Sequence, residues 1–239
     1  AKSFGGTSID NGQSISVDSL GNVYTTGGFE GTVDFDPGEN TTNLTSLGYT
    51  DIFVQKMDSL GNFIWAKSFG GASAEWGLSI SIDDLDNVYT TGYFANTVDF
   101  DTGTGVSNHT SAGGIDFFVQ KMDALGNFLW AKTFGGINND WSYCVKNDTL
   151  GNVYTAGSFR GTINFNPGVG TANFSSIGSD DVFIQKMDSS GNFLWAQSFG
   201  GYGSEKCYSV DIDSERNVYT TGFFTGTVDF DTGIGTFNL

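Results

Sequence analysis

Pairs of aspartates flank a phenylalanine at regular intervals along the chain, and their type and spacing suggest cation binding. Asp34 and Asp36 enclose Phe35, so in a strand both carboxylates would point to one side and the ring to the other. With carbonyl groups from the following Pro–Gly or Thr–Gly turn, two such carboxylates could hold Ca²⁺. The predicted ligands of these D-F-D pairs are Asp34, Asp36, Asp99, Asp101, Asp229 and Asp231.

The third copy of the pair favours a different role. It carries Asn164 and Asn166, which keep the side-chain oxygens but lose all charge. Asp and Asn share turn chemistry, so capping and turn formation is the alternative to Ca²⁺ binding. The chain also has no D-x-[DN]-x-[DN]-G loop of the EF-hand type.

A second set of carboxylates recurs in the connections between repeats, next to two tryptophans. These side chains could accept backbone N–H groups of their loops, or they could form a ring that binds a cation or ligand. The tryptophans could stack on a sugar or anchor a partner, or they could pack against the neighbouring loop. The predicted interaction face consists of Asp10, Glu75, Trp76, Asp140, Trp141 and Glu205.

Other catalytic groups are scarce. His109 is the single histidine, and the equivalent residues of other repeats are Leu44 and Phe174. We therefore expect His109 to fill space at a surface or half-buried position and not to act as a general base. Cys144 and Cys207 stand where other repeats carry Ser or Gly, which predicts two free, partly buried thiols. Acid–base catalysis needs unlike environments for its two groups, whereas repeated positions tend to be alike. We therefore expect that the chain is not an enzyme.

These residues must be positioned by a repeat that returns every 65 residues. AKSFGG begins at Ala1 and Ala66, AKTFGG begins at Ala131, and AQSFGG begins at Ala196. A 65-residue unit without disulfides would be only marginally stable alone. We therefore expect one cooperative array over residues 1–239, with repeats of about 1–65, 66–130 and 131–195 and an incomplete one at 196–239.

Each repeat predicts four strands and almost no helix. In the first repeat they are GQSISVD, NVYTTGGF, DIFVQKMD and NFIWAKSF, with DSLGN hairpins after the first and third. In the fourth strand Phe63 and Trp65 lie on one face and Ile64 and Ala66 on the other. Sheets that are apolar on both faces and repeated predict a β-propeller of four-stranded blades. The recurring Trp65 is expected to pack between blades.

The motifs NVYTTG, TVDFDPG, NLTS, DIFVQKMD-x-x-GN-x-x-W and AKSFGG resemble the SBBP β-propeller repeat family, over essentially the whole chain. The resemblance implies a propeller and a location outside the cytoplasm or on a bacterial cell surface. It implies no defined activity.

The order of strands also predicts where function could lie. Both hairpins of a repeat would fall at one end of the sheets, and the long connections 5–12 and 35–50 at the other. Loops on a rigid scaffold are common binding sites, so the long-connection end is the candidate surface. The sequence stops at Leu239, before the DIFVQKMD strand that should follow. Ala1 to Phe4 would pair with that strand if the repeats closed on themselves. We therefore expect a fragment of a longer or closed array.

Composition limits the partners. A net charge of −17 argues against nucleic acid and anionic membranes, and no apolar run is long enough to insert into a bilayer. The favoured hypothesis is a non-catalytic extracellular scaffold that binds protein or glycan at the cell surface. The alternatives are a glycan- or Ca²⁺-binding lectin-like propeller, or an accessory region of an enzyme whose active site lies outside this chain.

Overall fold

The computed structural model of the chain is built from β-strands. It describes residues 2–166, 168, 170–233 and 235–239, so the expected strand partner Ala1 lies outside the described residues. Within these residues there is no α-helix, and therefore no helix long and apolar enough to cross a membrane. The expectation of an all-β chain is confirmed. The strands of the described residues are β1 Asp10–Val17, β2 Val23–Phe29, β3 Thr32–Asp34, β4 Asn43–Thr45, β5 Asp51–Met57, β6 Phe63–Gly71, β7 Trp76–Ile82, β8 Val88–Asp99, β9 Asn108–Met122, β10 Phe128–Phe134, β11 Trp141–Asn147, β12 Val153–Asn164, β13 Asn173–Met187, β14 Phe193–Phe199, β15 Lys206–Ile212 and β16 Val218–Phe223.

The strands form successive antiparallel meanders, which we call units. Unit 1 runs β1-β2-β5-β6, unit 2 contains β7 to β10, unit 3 runs β11-β12-β13-β14, and unit 4 pairs β15 with β16. The four strands predicted in the first repeat match β1, β2, β5 and β6 within two residues at each end. A short pairing of Gly70–Gly71 with Val98–Asp99 joins unit 1 to unit 2.

The hairpins form where the DSLGN motifs predict them. Gly21 and Gly61 have φ of 82°, a left-handed conformation that favours glycine. The equivalent positions in the second and fourth repeats are Asp86 and Arg216, which keep a positive φ of 60° and 67°. In each hairpin the leading aspartate accepts backbone N–H groups; Asp18 Oδ1 lies 2.8 Å from Asn22 N.

The long connection 35–50 differs from the prediction. Short strands β3 and β4 lie on either side of its first turn, and Thr32 and Thr45 hydrogen-bond through their hydroxyls at 2.8 Å. The turn then folds back over the sheet, because Gln55 Nε2 donates to the Phe35 carbonyl at 2.6 Å. As a result Asp36 lines a groove shared with Gly61 of the hairpin. The prediction that this whole connection lies at the end opposite the hairpins is wrong for its first half.

The core is aromatic and repeats with the sequence. Phe35, Phe100 and Phe165 of the D-F-D and N-F-N motifs are fully buried. The ring centres of Phe35 and Phe29 are 5.2 Å apart, and the two rings form a T-shaped pair. The prediction of two covered faces in the fourth strand fails at one position, since Ile64 is 44% exposed.

Neighbouring units contact one another through equivalent atoms. The Ile80 N–H donates to Ser14 Oγ at 3.3 Å, and one repeat later the Val145 N–H donates to Ser79 Oγ at 3.1 Å. Trp65 is half-buried, and its Nε1–H donates to the Ala124 carbonyl of unit 2 at 3.2 Å. The tryptophan therefore packs between units, as expected.

Candidate functional site

The D-F-D aspartates hold turns. Asp34 Oδ1 accepts the N–H groups of Asp36 at 3.1 Å and Thr42 at 2.8 Å, and Asp36 Oδ1 accepts that of Gly38 at 2.8 Å. The other predicted pairs, Asp99 with Asp101 and Asp229 with Asp231, cap their turns in the same way.

The N-F-N copy makes the same contacts without charge. Asn164 Oδ1 accepts the N–H of Asn166 at 3.0 Å and of Ala172 at 2.9 Å. These bonds support capping over cation binding. Within the described residues no three His, Cys, Asp or Glu side chains are grouped to hold a metal ion. Calcium binding at the D-F-D pairs stays a prediction.

The second set of carboxylates lies at the opposite end of the sheets, mostly buried. Each accepts the N–H of the glycine four residues earlier, for example Gly71 N to Glu75 Oε2 at 2.9 Å. Asp140 also accepts the Arg160 N–H at 2.9 Å. The equivalent bonds at Asp10 and Glu205 are made by Gly6 and Gly201. These contacts support the loop-holding role of the set.

Each of three such residues faces a buried aspartate that sequence reasoning missed. Burial and the charge of Asp51 raise the pKa of Glu75 to about 7. Burial and the neighbouring Asp116 and Asp180 likewise raise the pKa of Asp140 to about 7. Asp51 Oδ1 and Glu75 Oε1 are buried with no hydrogen-bond partner among the described residues. The three buried pairs are Asp51 with Glu75, Asp116 with Asp140, and Asp181 with Glu205.

A sequence signal for these partners existed. Asp51, Asp116 and Asp181 each begin the otherwise apolar DIFVQKMD-type strand, and all three are at most 3% exposed. A charged residue at the start of a buried strand has to be satisfied by something nearby.

The two predicted interface tryptophans are half-buried at the first residues of strands. Trp76 begins β7, and its ring covers Gly28 of unit 1 so closely that no side chain fits there. Trp141 begins β11, and the Lys206 ammonium lies 5.4 Å from its ring centre. Because both rings pack against neighbouring units, the structure favours the packing role over sugar stacking.

A buried Asp–Tyr–Lys cluster repeats at the hairpin end, and sequence reasoning did not single it out. Asp83 Oδ2 accepts the Tyr89 hydroxyl at 3.1 Å and lies 3.9 Å from Lys121 Nζ. The ammonium also lies 4.8 Å from the Tyr89 ring centre. Burial, with the negative charge of Asp83, raises the pKa of Tyr89. The equivalent clusters are Asp18 with Tyr24 and Lys56, and Asp148 with Tyr154 and Lys186.

Two grooves at the hairpin end occupy equivalent places 130 residues apart. They have volumes of about 180 Å³ and about 630 Å³, so the larger is big enough for a small molecule. The smaller is lined by Lys2, Asp36, Gly38, Asn40, Gly61, Asn62 and Phe63. The larger is lined by the equivalent residues Lys132, Asn166, Gly168, Gly170, Gly191, Asn192 and Phe193, together with residues of unit 2.

The meanders and their recurring contacts define an all-β repeat protein. Residues 3–27 match the family model of the SBBP beta-propeller repeat, which confirms the resemblance drawn from the motifs. The chain therefore contains an SBBP β-propeller repeat.

Two curated relatives align with longer stretches. An uncharacterized WD repeat-containing protein of Acanthamoeba polyphaga mimivirus is 24% identical over 258 residues, which covers 94% of this chain. The regulatory protein FlaEY of Caulobacter vibrioides is 26% identical over 176 residues, or 72% of this chain. The chain spans 18% of the length of each relative.

Proposed function

We propose that the chain is part of a β-propeller of 65-residue, four-stranded blades and belongs to a longer or closed array. The recurring contact between β1, β7 and β11 supports this arrangement, since Ser14 and Ser79 accept equivalent N–H groups from the next unit. A repeated operation that places each unit identically on its neighbour generates a ring or a superhelix.

The exposure of unit 1 fits the same proposal. Ile15 on β1 is 65% exposed, whereas its equivalents Ile80 and Val145 are 5% and 0% exposed between units. Another blade packed against β1 would cover Ile15 in the same manner.

We infer that this array is a non-catalytic interaction scaffold outside the cytoplasm, on or near a bacterial cell surface, with protein or glycan as partner. The observation that carries the inference is a set of exposed apolar side chains at the end opposite the hairpins, here called the connection face. Its members are Leu47, Tyr49, Ile137, Ile177 and Tyr202, which are 61–91% exposed.

These side chains lie on neighbouring connections. Tyr49 N donates to the Ser73 carbonyl at 3.1 Å, and Gly178 is in close contact with the backbone of Tyr202. Large apolar and aromatic residues are the typical anchors of protein interfaces. The WD-repeat relative supports a scaffold role, and the loop-holding contacts of the repeated carboxylates support a non-catalytic one.

The test is binding of the fluorescently labelled chain to intact cells of the organism that encodes it, measured by flow cytometry. We expect a double variant Ile177→Ser, Tyr202→Ser to lose at least tenfold in binding. The matched control is Leu20→Ser, Leu60→Ser at the hairpin tips, where both leucines are similarly exposed, at 75% and 82%. Equal loss in both variants would contradict the connection face, and no binding by the parent chain would contradict the surface scaffold.

A further inference from the structure

The larger of the two grooves lies between units 2 and 3, and both units contribute to its walls. One wall comes from β9 and β10 of unit 2, through His109 and Lys132, and the other from Asn166, Gly168 and Gly170 and the hairpin at Gly191. The equivalent place between units 1 and 2 is occupied differently. There the Thr102 hydroxyl donates to the Gly126 carbonyl at 3.1 Å and ties the turn to the hairpin.

The residue that ties this turn is absent from the two open grooves. The position of Thr102 is proline in the first and third repeats, as Pro37 and Pro167, and Pro167 lies outside the described residues. Proline has no hydroxyl and cannot make the tie. Threonine therefore accompanies the tied turn of the second repeat, and Pro37 accompanies the open groove of the first.

The larger groove has an unusual charge for this protein. The chain carries 27 acidic residues, yet no carboxylate is among the described residues that line this groove. In the smaller groove Lys2 faces Asp36, whereas in the larger one Lys132 faces the neutral Asn166. The substitution of Asn for Asp removes the negative charge from the side facing the lysine.

The ammonium of Lys132 is uncommitted. Within the described residues it makes no ion pair or hydrogen bond, whereas Lys56, Lys121 and Lys186 each pair with a buried aspartate. The charge of Lys132 contributes to the lowered pKa of Asp188, which hydrogen bonds from Asn192 and Ser190 lower more strongly. Asp188 is already held by Asn192 and Ser190, so Lys132 remains available to a ligand.

The remaining lining combines polar and apolar groups. His109 Nδ1 lies 3.1 Å from Thr133 Oγ1 and its Nε2 lies 3.5 Å from Ser107 Oγ, and both contacts fix the ring at the groove wall. Burial, with the nearby Lys132, lowers the pKa of His109, so the ring is a neutral hydrogen-bonding group near pH 7. Asn166 supplies an amide, and Phe165 and Phe193 supply aromatic surface.

We infer that the groove between units 2 and 3 binds a small hydroxylated carboxylate, of the size of a hexuronate. Its carboxylate would pair with Lys132, whose ammonium makes no ion pair with any described residue. Its hydroxyls would bind Asn166, whose amide offers both donors and an acceptor. Its carbon skeleton would lie against Phe193. This inference does not depend on the scaffold role of the connection face.

The probe is glucuronate, titrated into the full chain by calorimetry in 0.15 M salt, where the net charge of −17 is screened beyond about 8 Å. Acetate tests the carboxylate alone, and glucose tests the hydroxyls alone. We expect glucuronate to bind with a one-to-one stoichiometry and at least tenfold more tightly than acetate or glucose. Absence of glucuronate binding at 10 mM, on the order of the weakest specific ligands, overturns the inference. Equal binding of acetate contradicts the hydroxyl contacts, and equal binding of glucose contradicts the role of Lys132.

Matched variants locate the site. Lys132→Met keeps the side-chain length and removes the charge, and we expect at least a tenfold loss of glucuronate affinity. Lys67→Met makes the same change at the equivalent lysine one repeat earlier, where Thr102 ties the turn to the hairpin, and we expect no loss. Asn166→Asp restores the carboxylate of the other repeats and should weaken binding as strongly as Lys132→Met. Unchanged thermal midpoints show that the variants fold, and equal effects of Lys67→Met and Lys132→Met would place the ligand elsewhere.

Discussion

The hydroxyl of Tyr89 offers a sharp test, because the same hydrogen bond recurs in all four units and is buried in three of them but exposed in the fourth. Tyr89 donates to Asp83 Oδ2 at 3.1 Å and is fully buried. Tyr219 donates to Asp213 Oδ2 at the same 3.1 Å, but it is 58% exposed. The change Tyr→Phe removes only the hydroxyl in both places and keeps the ring.

The expected magnitude follows from burial. Loss of the Tyr89 hydroxyl leaves Asp83 Oδ2 with Asn87 Nδ2 at 2.9 Å and Lys121 Nζ at 3.9 Å. A buried hydrogen bond to a charged group contributes about 1.5–3 kcal/mol. We therefore expect Tyr89→Phe to lower the free energy of unfolding by about 2 kcal/mol. For a chain of this size that corresponds to a fall in Tm of roughly 4–8 °C. At Tyr219 water replaces the lost bond, and we expect no measurable change.

The assay is urea unfolding at pH 7, followed by both far-ultraviolet circular dichroism and tryptophan fluorescence. Coincident transitions establish that unfolding is two-state and that midpoints compare directly. Equal losses in Tyr89→Phe and Tyr219→Phe would refute the argument that burial sets the strength of this bond. A neutral Tyr89→Phe would refute the cluster as a stabilising contact.

Three further predictions concern titration, thiols and calcium. Because burial raises the folded-state pKa of Glu75 and Asp140 to about 7, the folded chain holds protons that the unfolded chain releases. Stability from this source is present at low pH and is lost as pH rises through 7, so the urea midpoint should be higher at pH 5.5 than at pH 8; a midpoint that rises with pH contradicts the buried pairs. Burial raises the pKa of Cys207 to about 11, and Cys144 is also buried and free. Ellman's reagent should therefore react with neither thiol in the folded chain and with both in urea, and rapid native reaction would disprove their burial. If the D-F-D pairs only cap turns, thermal midpoints in EDTA and in millimolar Ca²⁺ should coincide. A rise in Ca²⁺ with several equivalents bound would restore the metal hypothesis.

Local sequence predicted the strands and hairpins well, because both depend on neighbours in the chain. Alternation and the DSLGN motif are local signals, and the left-handed turn persists even where Gly21 becomes Asp86. The capping alternative for Asp34 was also visible, since Asn164 keeps the acceptor oxygen.

Contacts across units were not predictable in the same way. The facing of Asp51 and Glu75, or the closure of one groove by Thr102, depends on how one unit packs on the next. The fold-back of the turn after Phe35 depends on the Gln55 side chain, twenty residues away in sequence. Such contacts are set by tertiary packing, which no local pattern encodes.

The central claim is that successive units curve around a common axis as blades of a propeller. Spin labels at hairpin tips test it, in a background with Cys144→Ser and Cys207→Ser. The labelled positions are the equivalent, exposed Leu20, Leu85 and Leu150. Double electron–electron resonance then gives the 20–85, 85–150 and 20–150 distances.

The account predicts equal 20–85 and 85–150 distances. For a ring of four to eight blades, the ratio of the 20–150 distance to either of them lies between about 1.4 and about 1.85. A ratio near 2 would mean a straight stack of units, and unequal neighbouring distances would mean that the units are not related by one repeated operation. Either result would contradict the propeller.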